Sequence, residues 1–300
     1  MGGRETEVDS WINIAQAISR ATGKPFALES RSAVGGGCIN QGYRIQGNGA
    51  VFFVKLNEPG RLPMFEAEAA GLEEIARTKT VRVPHPVCSG VNAEASWIVL
   101  EWIEFGRAGN RGMHELGRVI ARLHRVTGTR HGWYRDNTIG ATPQVNTPGA
   151  DWMAFWREHR LGYQLRLAAR NGHRGRLQAD GERLLEKLPA LLSGHKPPPS
   201  LLHGDLWSGN AGFDSSGAPV IYDPAVYYGD READLAMAEL FGGFLSDFYS
   251  GYREQFPLDP GYARRKDLYN LYHVLNHLNL FGGGYRAQAE RMIAGLLGQV

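Results

Sequence analysis

The chain of 300 residues carries 33 Lys and Arg against 31 Asp and Glu, a formal net charge of +2, and 43% of its residues are hydrophobic. These values are typical of a globular protein with one large or two moderate domains, and a charge this close to balance argues against nucleic acid as a required partner. Two cysteines are too few for a disulfide framework, and the sequence has neither a membrane-spanning apolar stretch nor a signal peptide, so we expect a cytoplasmic protein with no membrane partner.

The first third of the chain reads as a small sheet with helices. Apolar residues at helical spacing predict a helix that starts at Asp9 and is closed by Gly23. Residues 26–57 read as strands around a glycine cluster. Residues 62–77 predict a strong amphipathic helix, and residues 96–103 predict a buried strand.

After Phe105 the pattern changes to amphipathic helices, with a short strand pair around residues 211–222. The predicted fold class is therefore α+β and bilobal. We expect an N-terminal lobe at residues 1–102, with an antiparallel sheet, one inserted helix and the nucleotide site. A larger and mainly helical lobe at residues 103–300 would carry the catalytic loop and the substrate site.

The segment "LLHGDLWSGNAGFDSSGAPVIYDPA" at residues 201–225 concentrates the acidic residues that suggest catalysis. Asp205 and Asn210 have the D-x-x-x-x-N spacing that in kinases places a proton-accepting Asp beside a metal-binding Asn. A strand, turn and strand after Asn210 would carry Asp223 back beside it, which gives an oxygen pair suited to Mg²⁺. Asp214 belongs to the "DSSG" turn of that hairpin.

A lysine in a β-rich run provides the matching nucleotide feature. Lys55 lies in "VFFVKLN" and resembles the strand lysine that contacts nucleotide phosphates in kinases. The following helix offers Glu66 and Glu68 as its ion-pair partner. We favour Glu68, because it lies one turn before Leu72 at the inward edge of the helix.

A glycine cluster precedes this lysine in the chain. Glycines let backbone N–H groups approach phosphates closely, although this cluster matches neither the Walker motif nor G-x-G-x-x-G. The predicted phosphate loop consists of Gly35, Gly36, Gly37, Cys38, Ile39 and Asn40. Two interpretations of Cys38 stay open: a redox switch, through a thiol of lowered pKa and an intermolecular disulfide, or a small residue that fits the turn.

These motifs occur in kinase order, and the chain resembles the fructosamine-3-kinase (ketosamine kinase) family. That family belongs to the aminoglycoside phosphotransferase branch of the protein-kinase-like fold. The resemblance extends over nearly the whole chain and rests on "HGDLWSGN", "YDPAVYYGDREADLAM", "GWYRDNTIGATPQVN", "FWREHRLGYQL" and "LYHVLNHLNLFGGGY". Its most specific parts are Trp207 within the catalytic loop and the segment "DNTIGATPQVN".

The resemblance implies ATP-dependent phosphorylation of a sugar hydroxyl in a ketosamine, free or on a glycated protein, as in protein deglycation. ATP and Mg²⁺ are the implied cofactors, with Asp205 as base, Asn210 and Asp223 as metal ligands and Lys55 on the phosphates. Backbone groups of the hinge "LEWIEF" would hold adenine. The hinge residues are Glu101, Trp102 and Ile103.

Other residues near the motif receive supporting roles. Trp207 is the candidate substrate residue, through stacking on the sugar or its amine-bearing part, with a bracing role as the alternative. We expect His203 to hold the loop, and Asp230 and Asp234 to cap a helix and brace it. His273 and His277 have zinc-binding spacing on a helix, but nothing near them in the sequence completes a ligand set.

Two other functions stay open from the sequence. The chain could be a kinase of the same fold that acts on another small hydroxyl compound, such as an aminoglycoside or choline, or a nucleotide-binding pseudokinase. The preferred ketosamine and the choice between monomer and homodimer are not set by the sequence.

Overall fold

The structure, a computed structural model, describes residues 2–35, 39–109 and 111–300, with side chains described from residue 10 onward. By its internal contacts the chain forms two compact units. The first comprises Met1–Gly112 and Ala211–Asp223, and the second comprises Met113–Asn210 and Pro224–Val300. The first unit therefore extends beyond residue 102, where the sequence places the boundary. The assignment of nucleotide and substrate binding to separate units stays a prediction.

The described residues form strands and helices in the following order. The strands are β1 (Ser30–Val34), β2 (Gln41–Gly47), β3 (Ala50–Asn57), β4 (Pro86–Val91), β5 (Ser96–Glu101), β6 (Asn137–Ile139), β7 (Thr142–Gln144), β8 (Ser200–Leu202), β9 (Ala211–Phe213), β10 (Pro219–Ile221) and β11 (Tyr227–Gly229). The helices are α1 (Gly2–Thr22), α2 (Leu62–Thr78), α3 (Gly112–His124), α4 (Trp152–Trp156), α5 (Tyr163–Arg170), α6 (Arg176–Leu191), α7 (Arg231–Leu240), α8 (Ser246–Gln255), α9 (Tyr262–Phe281) and α10 (Tyr285–Leu297). A π-helical turn, Arg157–Gly162, joins α4 to α5.

The first unit is built on one sheet with strand order β1-β2-β3-β5-β4, in which all neighbouring strands are antiparallel. Because side chains alternate between the faces of a strand, Ile45, Val54 and Val99 share one face. There they are buried against Ile14 and Ile18 of α1. α2 is inserted between β3 and β4. The predicted antiparallel sheet with one inserted helix is present.

The first helix is longer than the sequence pattern indicates. It begins at Gly2 and not at Asp9, and it ends before Gly23, whose φ is +68°. The apolar periodicity starts only near Trp11, but the preceding residues include no proline and several good helix formers. A helix can extend through such residues without apolar periodicity, so the sequence pattern does not mark where the helix begins.

The β9–β10 hairpin belongs to the first unit although its sequence lies far from the sheet. The two strands pair antiparallel, with Phe213 opposite Pro219. Arg82 forms a parallel bridge with Val220, and the Ile221 N–H donates to the Arg82 carbonyl at 3.0 Å. These backbone contacts attach the hairpin to the segment between α2 and β4.

The second unit is mainly helical, as the sequence predicts. α9 packs against α5, α7 and α10, and the largest buried side chains include Trp156, Tyr269 and Tyr272. Two short antiparallel pairs, β6–β7 and β8–β11, lie in this unit. Among the described helices, none combines the length and the apolar composition needed to cross a bilayer.

Candidate active site

Lys55 lies at the middle of the sheet, on β3, opposite Gly42 of β2 and Ile98 of β5. Its side chain is buried, and Nζ donates to Glu68 Oε1 at 2.7 Å and to Asp223 Oδ1. Burial opposes the charge of the ammonium group, but the carboxylates of Asp223 and Glu68 outweigh it and raise the pKa of Lys55 above its ordinary value. Lys55 therefore carries a full positive charge at neutral pH.

Glu68 reaches this lysine because of its position on α2. Phe65, Leu72 and Ile75 form the buried face of the helix, and Glu68 lies between them at the i+3 and i−4 positions, which share a face. Its side chain is 11% exposed, whereas Glu66 is exposed. Of the two glutamates proposed from the sequence, Glu68 is therefore the one beside Lys55.

Asp223 follows β10 and contacts Lys55 with a side chain that is 44% exposed. Its φ is +56°, in the left-handed region where residues other than glycine are uncommon. Backbone conformations of this kind cluster at functional sites. The hairpin thus places an accessible carboxylate beside Lys55, on a residue whose backbone is strained.

Asp214 lies in the hairpin turn, as predicted, and has a second role that the sequence does not reveal. Its Oδ1 accepts from the Ser216 N–H and hydroxyl and from the Ala218 N–H. Its Oδ2 accepts from Arg82 at 2.5 Å, and Arg82 also binds Glu101 at 2.7 Å. The Ser216 hydroxyl and the Arg82 guanidinium hold the pKa of Asp214 at about 2, so it is a fixed anion that secures the hairpin.

Part of the predicted phosphate loop, Gly36, Gly37 and Cys38, lies outside the described residues, and Gly35, Ile39 and Asn40 are described. The loop is tied to the end of β3 by Asn57, whose Nδ2 donates to the Ile39 carbonyl at 3.0 Å and to Asn40 Oδ1 at 2.7 Å. Sequence reasoning missed Asn57, because a lone Asn after a strand is indistinguishable from a turn residue.

The predicted hinge residues follow directly from β5. The Glu101 N–H donates to the His85 carbonyl at 2.8 Å, so the carbonyl is the backbone group that Glu101 can offer to adenine. Trp102 Nε1 donates to Glu104 at 2.9 Å, and Ile103 is buried. These contacts engage the side chains of Trp102 and Ile103 within the protein, and the adenine-binding role of the segment stays a prediction.

The catalytic loop in the second unit brings Asp205 and Asn210 together. Asn210 Nδ2 donates to the Asp205 carboxylate Oδ2 and to the Asp205 carbonyl, each at 3.0 Å. Asn210 is buried, and Asp205 is half-buried. Because the amide nitrogen is engaged by Asp205, the amide oxygen is the atom of Asn210 that can serve a metal ion.

Asp234 anchors this loop from α7. Its carboxylate accepts from the backbone N–H groups of His203 at 2.7 Å and Gly204 at 2.8 Å, and also contacts His124 Nε2 at 3.1 Å. Burial alone would raise the pKa of Asp234, but the contact with His124 and the backbone donors hold it below its ordinary value. Asp230 caps α7 by accepting from the Glu232 N–H at 3.0 Å.

Two features explain the residues on either side of Asp205. Gly204 has φ +82°, and a Cβ there would lie 2.0 Å from the Ala225 carbonyl oxygen, so only glycine fits. Trp207 is half-buried and lies over Gly209, where a Cβ would come within 2.2 Å of the indole. The indole therefore packs against the loop backbone at Gly209 and is partly exposed, and its role in substrate binding stays a prediction.

The histidines with metal-binding character are accounted for by protein contacts. Among the described residues, one group of His and carboxylates, His195, Asp230 and Glu232, has the spacing of a metal site. However, Arg265 binds both oxygens of Glu232 at 2.7 and 2.8 Å, and Tyr269 donates to Asp230 at 2.5 Å. These donors give the carboxylates a structural role. Separately, burial lowers the pKa of His273 to about 3, as for a neutral core residue.

The comparisons with known proteins agree with one another. A family model described as fructosamine kinase matches residues 10–299. A Synechocystis protein named as a probable ketoamine kinase is 52% identical over 284 residues, which cover 94% of this chain and 95% of the relative. A chloroplastic protein-ribulosamine 3-kinase of Oryza sativa is 45% identical over 276 residues, 90% of this chain and 80% of the relative.

Solved structures show the same similarity. The structure of a candidate fructosamine-3-kinase from Haemophilus somnus has a TM-score of 0.89 and 30% identity, covering 96% of this chain and 97% of that chain. A thermostable mutant of an aminoglycoside phosphotransferase, in ternary complex with ADP and hygromycin B, has a TM-score of 0.62 at 13% identity, covering 95% and 98%. The second likeness concerns the fold alone, and the predicted protein-kinase-like fold is confirmed.

Proposed function

The chain belongs to the fructosamine kinase family, and from this premise we propose that it uses ATP to phosphorylate the 3-hydroxyl of the sugar in a ketosamine. The observation that carries the proposal is the catalytic loop, in which Asn210 holds the Asp205 carboxylate and Asp234 holds the loop backbone. Phosphoryl transfer needs mainly positioning and charge stabilisation from a protein, and a carboxylate fixed in this way is suited to orient a hydroxyl nucleophile.

Asp205 is the proposed general base. Its side chain is half-buried, and its carboxylate accepts from the Asn210 amide at 3.0 Å, which restricts its rotation. In this role Asp205 accepts the proton of the sugar hydroxyl as the oxygen attacks the γ-phosphorus. General-base catalysis of this kind contributes about 10²–10⁴-fold in rate.

Lys55 is the proposed phosphate ligand, and Glu68 holds it in place. The ammonium group is buried and permanently charged, as a ligand for nucleotide phosphates must be. The described loop residues Gly35, Ile39 and Asn40 are proposed to face the phosphates. For adenine we propose the carbonyl of Glu101 and the N–H of Ile103.

The oxygen donors fit Mg²⁺, which prefers carboxylate, amide and phosphate oxygens. Asp223 supplies an exposed carboxylate, and Asn210 supplies its amide oxygen. We propose these two residues as the protein ligands. Bound Mg²⁺ would neutralise charge on the β- and γ-phosphates. Asp223 contacts Lys55 through Oδ1, and its second carboxylate oxygen is the atom that would serve the metal ion.

Trp207 is the proposed substrate residue, since the accessible part of its indole can stack on a sugar or its amine-bearing group. The proposed substrates are ketosamines, free or on glycated proteins, in the cytoplasm. The names of the relatives, ketoamine kinase and protein-ribulosamine 3-kinase, support this substrate class.

The test is a substrate panel with the purified chain and Mg-ATP. Fructosyl-lysine, ribulosyl-lysine, an aminoglycoside and choline are each incubated with enzyme, and ADP formation is measured. We expect ADP with one or both ketosamines and only background with the other compounds. ADP formation with the aminoglycoside or choline alone would overturn the proposal, and so would background ADP in every reaction.

A further inference from the structure

A buried polar network in the second unit supports the backbone that follows Asp223. Its amide members are Asn137 on β6, Gln144 on β7 and Asn146, and all three are buried. Gln144 Nε2 and Asn146 Nδ2 each donate to Asn137 Oδ1 at 2.8 Å. The β6–β7 register places Asn137 directly opposite Gln144, so the hairpin itself sets this arrangement.

Two buried side chains from helical segments complete the network. Tyr272 on α9 donates its hydroxyl to Gln144 Oε1 at 2.7 Å, and Arg160 donates to Asn146 Oδ1 at 2.8 Å and to the Val145 carbonyl at 2.7 Å. With these donors, each oxygen and nitrogen of the three amides has a partner. Buried amides that are all paired in this way fix one geometry more narrowly than apolar packing does.

The network contacts three consecutive residues of the chain. Gln144 Nε2 donates to the Ala225 carbonyl at 3.0 Å, and Asn137 Nδ2 donates to the Val226 carbonyl at 2.8 Å. The next residue, Tyr227, lies with its ring 4.0 Å from the Arg160 guanidinium carbon. Arg160 is fully buried and lies in the π-helical turn, a rare geometry that often occurs at functional sites.

The segment that the network contacts, Ala225–Tyr227, lies directly against the catalytic loop. The Ala225 N–H donates to the His203 carbonyl at 2.8 Å, and Tyr227 pairs with Leu202 in the β8–β11 ladder. The Ala225 carbonyl also occupies the space that a side chain at position 204 would need. Asp234 therefore accepts hydrogen bonds from the N–H groups of the loop, and the Ala225–Tyr227 backbone contacts the loop on its carbonyl side.

We propose that Gln144 and Asn137 are positioning residues for the phosphoryl transfer: they hold the Ala225–Val226 backbone against the catalytic loop and thereby fix the direction of the Asp205 carboxylate. This inference rests on the proposed function for its kinetic consequence. Small displacements of a catalytic group cost about 100-fold in rate even when the change lies away from the chemistry.

The test compares Gln144→Met with Gln178→Met as the matched control. Gln178 Nε2 also donates to two atoms of the backbone, the Leu165 and His173 carbonyls at 3.1 and 2.9 Å, but neither belongs to the loop or to the segment that supports it. We expect Gln144→Met to lower kcat by about 10- to 100-fold with the KM for ATP nearly unchanged, because Lys55 and Glu68 lie in the first unit. Gln178→Met should keep kcat. Equal kcat values in the two variants would overturn the proposal.

Hydrogen exchange gives a second readout that needs no substrate. Backbone amides of residues 201–206 should exchange faster in Gln144→Met than in wild type or Gln178→Met, and unchanged protection would contradict the proposal. If wild type phosphorylates no ketosamine, the proposed function fails while the exchange result still decides this inference. If Gln144→Met does not fold, Tyr272→Phe removes only the hydroxyl that donates to Gln144. It should lower kcat and loop protection in the same direction, and wild-type values of both would overturn the proposal.

Discussion

At the scale of the residue, four of the five aspartates from position 205 to position 234 differ because their partners differ. The Asp205 carboxylate accepts from the Asn210 amide, and the Asp214 carboxylate accepts from Ser216, Ala218 and Arg82. The Asp223 side chain is exposed and forms an ion pair with a buried lysine. The Asp234 side chain is buried and accepts hydrogen bonds from backbone N–H groups. The proposed chemistry is placed on Asp205, whose carboxylate lies beside Asn210, and on Asp223, whose exposed side chain lies beside Lys55.

The first prediction concerns the proposed base. Asp205→Asn keeps the volume of the side chain but removes its ability to accept a proton, so kcat should fall by about 10²–10⁴-fold. ATP affinity should be largely kept, because Lys55 and Glu68 are untouched. Steady-state kinetics and calorimetric ATP titration measure the two quantities separately.

Asp180→Asn is the matched control for this substitution. Asp180 lies on α6 in the same unit and pairs with two surface arginines, Arg176 and Arg183, so its loss should leave kcat unchanged. If Asp205→Asn turned over at the rate of Asp180→Asn, Asp205 would not be the base.

At the scale of the element, close backbone packing sets where helices of the second unit cross. A Cβ on Gly117 of α3 would lie 1.9 Å from the Phe248 carbonyl oxygen of α8. A Cβ on Gly251 of α8 would lie 2.0 Å from the His114 carbonyl oxygen. The two helices therefore touch backbone to backbone at this crossing, and neither can carry a side chain there.

The second prediction follows from this crossing. Gly117→Ala should destabilise the protein by about 1–3 kcal/mol or more, because a methyl group forces the two backbones apart. Gly295→Ala on α10 provides the opposite case, since a Cβ there meets nothing within 4 Å and alanine is favoured over glycine in a helix by about 0.5–1 kcal/mol. Urea unfolding of both variants should give shifts of opposite sign, and a stability loss in Gly295→Ala as large as in Gly117→Ala would refute the packing argument.

The elements that sequence patterns predicted are those with local signals. The β9–β10 hairpin was predictable because "DSSG" is turn chemistry between two apolar runs, and Glu68 because helical spacing places it at the inward edge of α2. Arg82, Asn57 and the Asn137–Gln144 network were not identified, because their partners lie far along the chain or are backbone atoms. A lone polar residue carries no sign of which distant carbonyl or carboxylate it will meet. The start of α1 was misplaced because the apolar periodicity of the sequence starts only near Trp11.

At the scale of the whole molecule, buried neutral histidines link stability to pH. Burial is the main cause that lowers the pKa of His131, His159, His273 and His277, and for His273 the value falls to about 3. As pH falls below about 6.5, the unfolded chain takes up protons at these residues before the folded chain does. The unfolded state then binds more protons, so the free energy of unfolding falls as pH falls.

The third prediction isolates one of these histidines. Wild-type stability should rise with pH between 5 and 6, and His273→Phe should reduce the slope by up to about 1.4 kcal/mol per pH unit, the contribution of one group. The slope is informative even if the substitution changes the absolute stability. Urea unfolding at pH 5, 5.5 and 6 measures it, and a variant slope equal to that of wild type would show that His273 does not titrate in this way.

The central claim is that this chain transfers phosphate from ATP to the sugar of a ketosamine, and the product itself is its most direct test. Wild-type protein, Mg-ATP and ¹³C-labelled fructosyl-lysine are incubated together, and the mixture is followed by ³¹P and ¹³C NMR. The account predicts a new phosphate monoester whose phosphorus couples to carbon 3 of the sugar and which does not form with Asp205→Asn. Fructosyl-lysine and equally labelled ribulosyl-lysine that both stay unchanged in the presence of bound ATP, or phosphate monoester formed at equal rates by wild type and Asp205→Asn, would contradict it.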